Sequence, residues 1–223
     1  MSEMVKVVVD AMGGDNAPEE PVKAAVEAVK EKENIQVILT GVQDVIEAEL
    51  RKYPDYPKDR IRVVHASQVI ETAEPPVMAI QKKKDSSIVV GLNLVKKQEA
   101  DAFVSSGSTG AVLVGGQVIV GRIKGIRRPP LAPLIPTAKG VSLLIDCGAN
   151  VDARPDHLVQ FAQMGSIYME NVVGIKKPRV AIVNNGAEEE KGNALVKATF
   201  PLLKACKDIN FIGSIEGREI PSG

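Results

Sequence analysis

The chain has few aromatic residues, few cysteines and no excess of charge. It contains four Phe, three Tyr and no Trp, so it offers no extended platform on which nucleobases could stack. Its 28 Lys and Arg residues balance 28 Asp and Glu residues. A zero net charge gives no whole-molecule attraction to nucleic acid or to anionic lipid. We therefore expect no nucleic-acid partner.

The two cysteines and two histidines are too widely separated to suggest a zinc site. Cys147 and Cys206 form no Cys-x-x-Cys pair, and His65 and His157 lie far from each other. Structural zinc sites need closely spaced ligand pairs. We expect two reduced thiols packed as small hydrophobic side chains, as is usual in the cytosol. No metal and no cofactor are predicted.

Targeting and membrane signals are also scarce. Residues 1–4 lead directly into a strand pattern and lack a basic n-region, so no signal peptide is predicted. The longest nearly uncharged stretch, residues 103–121, is interrupted by Ser, Thr and Gly. It lacks the roughly 20 predominantly apolar residues of a membrane-spanning helix. These features predict a cytoplasmic protein whose membrane association, if any, is peripheral.

What the chain does have is a regular alternation of short β-branched runs and helical patterns. Its 30 Val and 19 Ile residues favour parallel strands that are buried on both faces. The apolar spacing predicts strands at 5–10, 35–40, 61–65, 101–105, 141–146, 179–184 and 209–213, separated by helices at 21–33, 43–52, 77–83, 86–97, 108–123, 156–173 and 193–206. Such alternation predicts an α/β fold, a three-layer α/β/α sandwich around a mostly parallel sheet.

The domain organisation has one ambiguous segment. We expect a single α/β/α domain over residues 1–223, with no internal repeat. Residues 127–140 hold two arginines and four prolines and are the best candidate for an internal boundary. An alternative is that these prolines only set an extended crossing between two helical regions.

Four predicted strands are followed by polar loops that are rich in glycine, hydroxyl or amide groups. In open parallel sheets, ligands bind at the carboxyl ends of strands. We call these segments loop A (residues 10–18), loop B (105–111), loop C (146–152) and loop D (184–192). Their candidate binding residues are Asp10, Gly13, Gly14, Ser106, Gly107, Ser108, Thr109, Gly110, Asp146, Gly148, Asn184 and Gly186, and their candidate catalytic residues are Asp15, Asn150, Glu188 and Lys191.

Each loop by itself also fits a purely structural role. A glycine-rich strand-to-helix turn with an Asp or Asn cap is common, and the three glutamates of loop D suit a solvated helix start. Loop B lacks the Gly-Lys-Ser/Thr ending of a P-loop and the spacing of a nucleophile elbow. Together the four loops predict one crevice for a small anion such as phosphate, beside an extended acyl or thioester group.

In sequence order, four motifs resemble those of the bacterial phosphate acyltransferase family of phospholipid synthesis. They are Asp10–Asp15, Ser106–Ala111, Asp146–Asp152 and Asn184–Gly192, and the resemblance covers essentially the whole chain. It implies a fold like that of phosphotransacetylase and isocitrate or isopropylmalate dehydrogenase. It also implies a homodimer at the cytoplasmic membrane face and a membrane-bound glycerol-phosphate acyltransferase as partner. Members of the family continue further, so the C-terminal portion of the family fold is expected to be missing.

The resemblance further implies a reaction: an acyl group passes from an acyl-carrier-protein thioester to inorganic phosphate. The partners are then acylated acyl carrier protein and phosphate. Gly13, Gly14, Ser106, Ser108, Thr109 and Gly110 would form an anion cradle. Asn150 and Lys191 would stabilise developing charge, and Asp15 or Glu188 would serve the leaving thiol as acid or base.

Two other functions remain open at this point. One is a metal- and NAD-dependent dehydrogenase of related fold, which would need an aspartate cluster for a divalent metal. The other is a non-catalytic regulator that binds phosphate or the carrier protein.

Overall fold

The computed structural model describes residues 4–223 and divides the chain into two compact units. Unit 1 ends at Ile123, and unit 2 comprises Lys124–Gly223. The prediction of one domain with an internal boundary near 127–140 stays a prediction. Residues 1–3, on which the signal-peptide prediction partly rests, lie outside the described residues.

Unit 1 is built on a four-stranded parallel sheet. Its elements in chain order are β1 (Val5–Asp10), α1 (Glu19–Glu31), β2 (Ile35–Gly41), α2 (Gln43–Leu50), a 3-10 turn (Lys58–Arg60), β3 (Ile61–His65), α3 (Pro76–Lys82), α4 (Ser87–Lys96), β4 (Ala102–Val104), α5 (Thr109–Gly115) and a π-helical segment (Gly116–Val120). The strand order is β3-β2-β1-β4. Both edges of β1 are therefore paired, to β2 and to β4.

Helices cover both faces of this sheet. Val37 and Leu39 of β2 pack with the buried residues of α1 and α2. Val8 of β1 and Ile38 of β2 pack instead with Leu94 of α4. Because successive strand residues point to opposite faces, these two clusters lie on opposite sides of the sheet. Unit 1 thus has the predicted three layers, and the prediction of an α/β fold with a mostly parallel sheet is confirmed.

Unit 2 contains two smaller sheets and two long helices. Its elements are β5 (Leu134–Thr137), β6 (Gly140–Leu143), α6 (Pro155–Tyr168), a π-helical segment (Met169–Val173), β7 (Arg179–Asn184), α7 (Ala194–Ala205), β8 (Asn210–Glu216) and a 3-10 segment (Gly217–Ser222). Strands β7 and β8 are parallel, whereas β5 and β6 form an antiparallel hairpin. Ala162, Ile182, Phe200 and Leu203 form the core.

The hairpin is where the sequence prediction failed. Its first strand lies within the proline-rich segment that we predicted to be a boundary or a crossing, and its pairing is antiparallel rather than parallel. Pro136 faces Val141 in the ladder. Proline occurs in edge strands where its missing N–H faces away from the partner strand. Because proline otherwise argues against a strand, the sequence of this segment did not predict one.

The predicted helix over 108–123 is shorter than expected. It ends as a π-helical segment at Val120, because Gly121 takes a φ of 101°. Val118 and Ile123 are exposed at the carboxyl end of this segment. Within residues 4–223, no helix combines the length and the apolarity needed to cross a membrane.

Candidate functional site

Loops A and B interlock in unit 1 through the buried carboxylate of Asp10. Strands β1 and β4 are neighbours and parallel, so the loops that follow them emerge side by side. Oδ2 of Asp10 accepts a hydrogen bond from Ser105 Oγ at 2.7 Å, and Oδ1 accepts one from the Met12 N–H at 3.1 Å. Ser105 Oγ in turn accepts the Gly107 N–H at 3.0 Å. Asp10 therefore joins the two loops and orders their backbone.

Two glycines of loop A lie directly against loop B. A Cβ atom on Gly13 would lie 2.5 Å from Asp10 Oδ2 and 2.8 Å from the Gly107 nitrogen. Gly14 has a φ of 100°, and a Cβ there would lie 3.0 Å from Ser106 Cβ. Side chains at either position would push the loops apart. The glycines thus serve close approach of two backbones.

The hydroxyl groups of loop B have different surroundings. Ser108 is buried, and its Oγ accepts the Ala111 N–H at 3.3 Å as the N-cap of α5. Ser106 and Thr109 are exposed at the end of the strand. A Cβ on Gly110 would lie 2.6 Å from Pro76 Cγ, so α3 packs closely against the start of α5. Ser106 and Thr109 are consequently the hydroxyls that face solvent, while Ser108 acts as a cap.

The Asp146 carboxylate holds loop C together by hydrogen bonds, as the Asp10 carboxylate does for loops A and B. Its two carboxylate oxygens accept hydrogen bonds from the Leu131 N–H at 2.6 Å and from the Asn150 N–H at 2.8 Å. The Asn150 side-chain amide donates to the Pro129 carbonyl at 3.1 Å. The proline-rich segment is therefore attached to loop C. Gly148, at the tip, is exposed with a φ of 98°.

Cys147 corrects a sequence prediction. We expected both thiols to be packed as small hydrophobic side chains. Both cysteines are free, but Cys147 is exposed, and Cys206 is half-buried. Cys147 lies in the surface loop C, next to exposed Gly148, and its backbone N–H donates to the Leu131 carbonyl.

Loop D is organised around an ion pair. Lys191 Nζ lies 2.9 Å from Glu188 Oε2, and Asn184 Nδ2 donates to the Lys191 carbonyl at 3.1 Å. Gly186 is buried beneath the lysine, since a Cβ there would lie 2.3 Å from Lys191 Cδ. The hydrogen bond from Lys191 lowers the pKa of Glu188, and the same contact raises the pKa of Lys191. Both groups are thus charged at neutral pH.

The structure brings together part of the predicted site. The residues of loops A and B meet in unit 1, with exposed Asp15 on loop A. Loops C and D belong to unit 2, where each is closed by its own hydrogen bonds. A single crevice formed by all four loops stays a prediction. Over residues 4–223, no group of three or more His, Cys, Asp or Glu side chains is placed to hold a metal ion.

Ser105 and the backbone of residues 129–131 were missed by the sequence analysis. Ser105 connects Asp10 to loop B across 95 residues of sequence. Its position at the end of a predicted strand, at the start of loop B, was the available signal, but only the pairing of β1 with β4 reveals its partner. Nothing in the proline-rich sequence indicated that its backbone would contact Asp146.

Curated relatives match this chain over almost its full length. It is 56% identical over 221 residues to the phosphate acyltransferase of Alkaliphilus oremlandii, covering 98% of this chain and 64% of the relative. It is 53% identical over 219 residues to the phosphate acyltransferase of Clostridium botulinum, covering 98% of this chain and 66% of that relative. The chain thus spans just under two thirds of the length of these relatives.

Solved structures with a similar fold include phosphotransacylases, and a family model matches nearly every residue. A phosphotransacetylase from Streptococcus pyogenes aligns with a TM-score of 0.72 at 17% identity, covering 97% of this chain and 69% of the other. A branched-chain phosphotransacylase from Enterococcus faecalis aligns with a TM-score of 0.61 at 16% identity, covering 96% and 69%. These likenesses confirm the predicted phosphotransacetylase-like fold. Because the model of the family described as "Fatty acid synthesis protein" matches residues 5–223, the chain belongs to that family.

Proposed function

We propose that this protein transfers a fatty acyl group from an acyl-carrier-protein thioester to inorganic phosphate, forming an acyl phosphate for phospholipid synthesis. The observation that carries the proposal is the interlocked pair of loops A and B, which exposes Ser106 and Thr109 beside two close-packed glycines. Relatives at 53–56% identity bear the name phosphate acyltransferase, which supports an acyl transfer to phosphate.

Loops A and B offer hydroxyl groups to a phosphate. Both oxygens of Asp10 accept hydrogen bonds from within the loops, so this carboxylate orders the loops that present those hydroxyls. The hydroxyls of Ser106 and Thr109 can donate to phosphate oxygens. Gly13 and Gly14 allow the backbone to come close to the anion. We place phosphate here, with Gly107 and Gly110 shaping the cradle and Ser108 capping α5 behind it.

Loops C and D carry Asn150 and Lys191, the two residues that the family resemblance assigns to charge stabilisation. In the reaction a phosphate oxygen attacks the thioester carbonyl carbon, and the carbon–sulfur bond breaks to release the carrier thiolate, which then takes up a proton. Asn150 and Lys191 are the candidates for stabilising the oxyanion that forms on the way. Asp146, Gly148, Asn184 and Gly186 hold these two loops in shape.

Glu188 is paired with Lys191, so we assign it to orient that lysine. Exposed Asp15 and Glu188 stay the two candidates for the group that accepts or donates a proton. A departing thiolate, with an ordinary thiol pKa of about 8.5, can also take its proton from water.

Partners and location belong to the same proposal. Acylated acyl carrier protein and inorganic phosphate are the proposed substrates. A homodimer in the cytoplasm, with peripheral contact to the inner membrane face and a membrane-bound glycerol-phosphate acyltransferase as recipient of the product, fits an acyl phosphate that must reach a lipid-synthesising enzyme.

The deciding experiment traps the product. The whole protein is incubated with phosphate and either acyl-carrier-protein or coenzyme A thioesters, and hydroxylamine converts any acyl phosphate to a measurable hydroxamate. We expect phosphate-dependent hydroxamate with the carrier-protein thioester. Carrier-protein binding without turnover would instead indicate a regulator, and hydroxy-acid-dependent reduction of NAD would indicate a dehydrogenase.

Substitutions locate the cradle and the oxyanion site. Thr109→Ala removes one hydrogen bond to a charged ligand, worth about 1.5–3 kcal/mol, so the phosphate KM should rise about tenfold to a hundredfold. Lys191→Ala should mainly lower kcat. Thr72→Ala and Lys176→Ala change the same residue types at exposed positions elsewhere and serve as controls. Wild-type kinetics for both test variants would refute this placement of the site.

A further inference from the structure

Unit 2 contains a group of arginine side chains around a buried histidine, outside the four loops described above. Arg127 Nη1 bonds to Asp156 Oδ2, and Arg154 Nε lies 3.3 Å from Asp156 Oδ1. Arg128 follows Arg127 directly, and among residues 4–223 no carboxylate forms an ion pair with it. His157 lies next to Asp156 in the first turn of α6. We call Arg127, Arg128, Arg154, Asp156 and His157 the arginine cluster.

The arginine cluster has an excess of positive charge that solvent can reach. It holds three guanidinium groups and one carboxylate. The side chains of Arg127 and Arg154 are 59% and 60% exposed. Helix α6 is 14 residues long and begins at Pro155, so the partial positive charge of its amino end adds to that of the arginines. An anion in solution therefore has both access and electrostatic attraction.

His157 contacts two hydrogen-bond donors of the same residue. Its side chain is 3% exposed. Nδ1 lies 3.2 Å from the Arg154 backbone nitrogen, and Nε2 lies 3.3 Å from Arg154 Nη2. Both of these Arg154 groups only donate, whereas a neutral imidazole has one acceptor and one N–H. In either tautomer, one N–H of His157 thus faces another donor and has no acceptor.

The orphaned hydrogen lies on Nε2. Burial lowers the pKa of His157, and the three arginines lower it further against the opposing effect of Asp156, so the imidazole is neutral at pH 7. Its Nδ1 accepts the Arg154 backbone N–H, which leaves the hydrogen on Nε2 beside Arg154 Nη2. A buried donor without an acceptor is unfavourable. An oxyanion placed here accepts from both groups at once.

We propose that the arginine cluster binds a phosphate group, which accepts hydrogen bonds from His157 Nε2 and Arg154 Nη2 and is paired with Arg128. Guanidinium groups stay charged and match the geometry of phosphate oxygens. The bound group would supply the acceptor that His157 lacks. All residues of this site belong to unit 2, whereas loops A and B belong to unit 1. The inference concerns binding alone and does not depend on the proposed reaction.

Two sources offer this chemistry, inorganic phosphate and a phosphate ester such as phosphopantetheine. The arginine cluster adjoins loop C, because the Asn150 side chain donates to the carbonyl of Pro129, the residue after Arg128. An ester at this place would fit the arm of an acyl carrier protein, an assignment that rests on the proposed function. The shared feature is a tetrahedral oxyanion, and the test separates the two sources.

The test uses the fact that the chain has only two histidines, His65 and His157. With ¹⁵N-labelled histidine, NMR follows the imidazole N–H groups as inorganic phosphate or phosphopantetheine is added, and His65→Gln assigns the two signals. We expect a saturable shift of the His157 Nε2–H signal, and the compound with the lower Kd identifies the source. Pantetheine, which lacks the phosphate, and sodium chloride at equal ionic strength are controls. No shift with either phosphate compound, or the same shift with a control, would overturn the inference.

Substitutions show whether the arginines form the site. Arg128→Gln and Arg154→Gln should each raise the Kd of the tighter phosphate compound about tenfold or more, because each removes a charged hydrogen-bond donor. Arg218→Gln removes an arginine of unit 2 whose side chain is 83% exposed and lies outside the cluster, and it should leave this Kd unchanged. An unaltered Kd in both test variants would refute the site. Circular dichroism checks that each variant is folded, and the exposed Arg128 has no ion pair to lose.

A last variant separates this inference from the proposed reaction. Thr109→Ala changes the proposed phosphate cradle of unit 1, so the His157 response to phosphate compounds should remain as in the wild type. Failure to form acyl phosphate with an intact His157 response would contradict the reaction and leave this site standing. A His157 response that is lost in Thr109→Ala would show that the phosphate group binds at the cradle instead.

Discussion

At the scale of single residues, the loops of the candidate site are held in place by hydrogen bonds to two carboxylates. Asp10 joins loops A and B, and Asp146 joins loop C to the segment around Leu131. Each carboxylate satisfies backbone or hydroxyl donors that would otherwise lie unpaired at a strand end. Their role is to hold the loops in place, so that exposed groups such as Thr109 can meet a ligand.

Gly13 gives a direct measure of how tightly loops A and B pack. In Gly13→Ala the new Cβ would meet Asp10 Oδ2 and the Gly107 nitrogen, so we expect a loss of about 1–3 kcal/mol in the free energy of unfolding of unit 1. Urea denaturation followed by far-UV circular dichroism, with hydrogen exchange to localise the effect to β1 and β4, measures it.

Gly116→Ala is the matched control. Gly116 has helical dihedral angles, and a Cβ there meets nothing within 4 Å. Alanine should be neutral or slightly stabilising at this position. Equal unfolding free energies for the two variants would contradict the close packing of the loops.

The ion pair of loop D makes a prediction about pH. A carboxyl whose pKa is lowered in the folded state stabilises that state above its unfolded pKa. This contribution is lost as the pH falls through the folded value. In Lys191→Met the pKa of Glu188 should rise towards its ordinary value, because its largest cause of lowering is removed. Carboxyl-carbon NMR titration reads this directly.

The ion pair of Lys204 with Glu189 provides a control for the loss of one positive charge near loop D. Lys204 lies 2.8 Å from Glu189, so Lys204→Met removes a lysine close to loop D without touching Glu188. The pKa of Glu188 should stay lowered in that variant. The same titration curve for Glu188 in both variants would show that Lys191 is not its partner.

At the scale of elements, helix starts are defined by side-chain caps that sequence reasoning can find. Ser86, Ser108 and Asn193 each accept a backbone N–H three residues on, at the starts of α4, α5 and α7. These residue types compete well for N-cap positions because their short side chains reach the free N–H groups of the first turn. The predicted starts of these helices were therefore correct to within one residue.

Asn193 allows a simple test of how much an N-cap stabilises its helix. Its side chain accepts the Val196 N–H at 2.9 Å and it is exposed, so Asn193→Ala should lose about 1 kcal/mol of stability through the cap alone. Thermal unfolding of unit 2, followed by circular dichroism, measures the loss. Asn193→Asp retains an acceptor and should keep most of the stability; equal losses for both variants would refute the cap.

At the scale of the whole molecule, the charge balance and the sheet order of unit 1 fit the proposed local anion site. The zero net charge leaves binding to hydroxyls, backbone amides and single cations such as Lys191. The parallel order of unit 1 brings the carboxyl ends of β1 and β4 together, which is where such folds bind ligands. In unit 2 the described strands pair only as β5 with β6 and β7 with β8.

The sequence alone determined the α/β class, most of the strands and helices and the four loops. These features depend on local signals: β-branched runs such as Val7–Val9, buried spacing such as that of Val22, Val26 and Val29 in α1, and glycines at strand ends. The motifs also carried the family resemblance, which the family match bears out. The sequence did not reveal the β5–β6 hairpin, because the prolines of that segment obscured the strand pattern.

Only the tertiary structure decided which residues meet across long sequence separations. The hydrogen bond from Ser105 to Asp10 spans 95 residues, and the contact of the Leu131 backbone with Asp146 depends on a hairpin fold. Equally, the pairing of β5 with β6 and of β7 with β8 is known only from the structure. Local sequence sets the element that each residue forms, whereas side-chain partners depend on which strands become neighbours, and that is settled by packing of the whole unit.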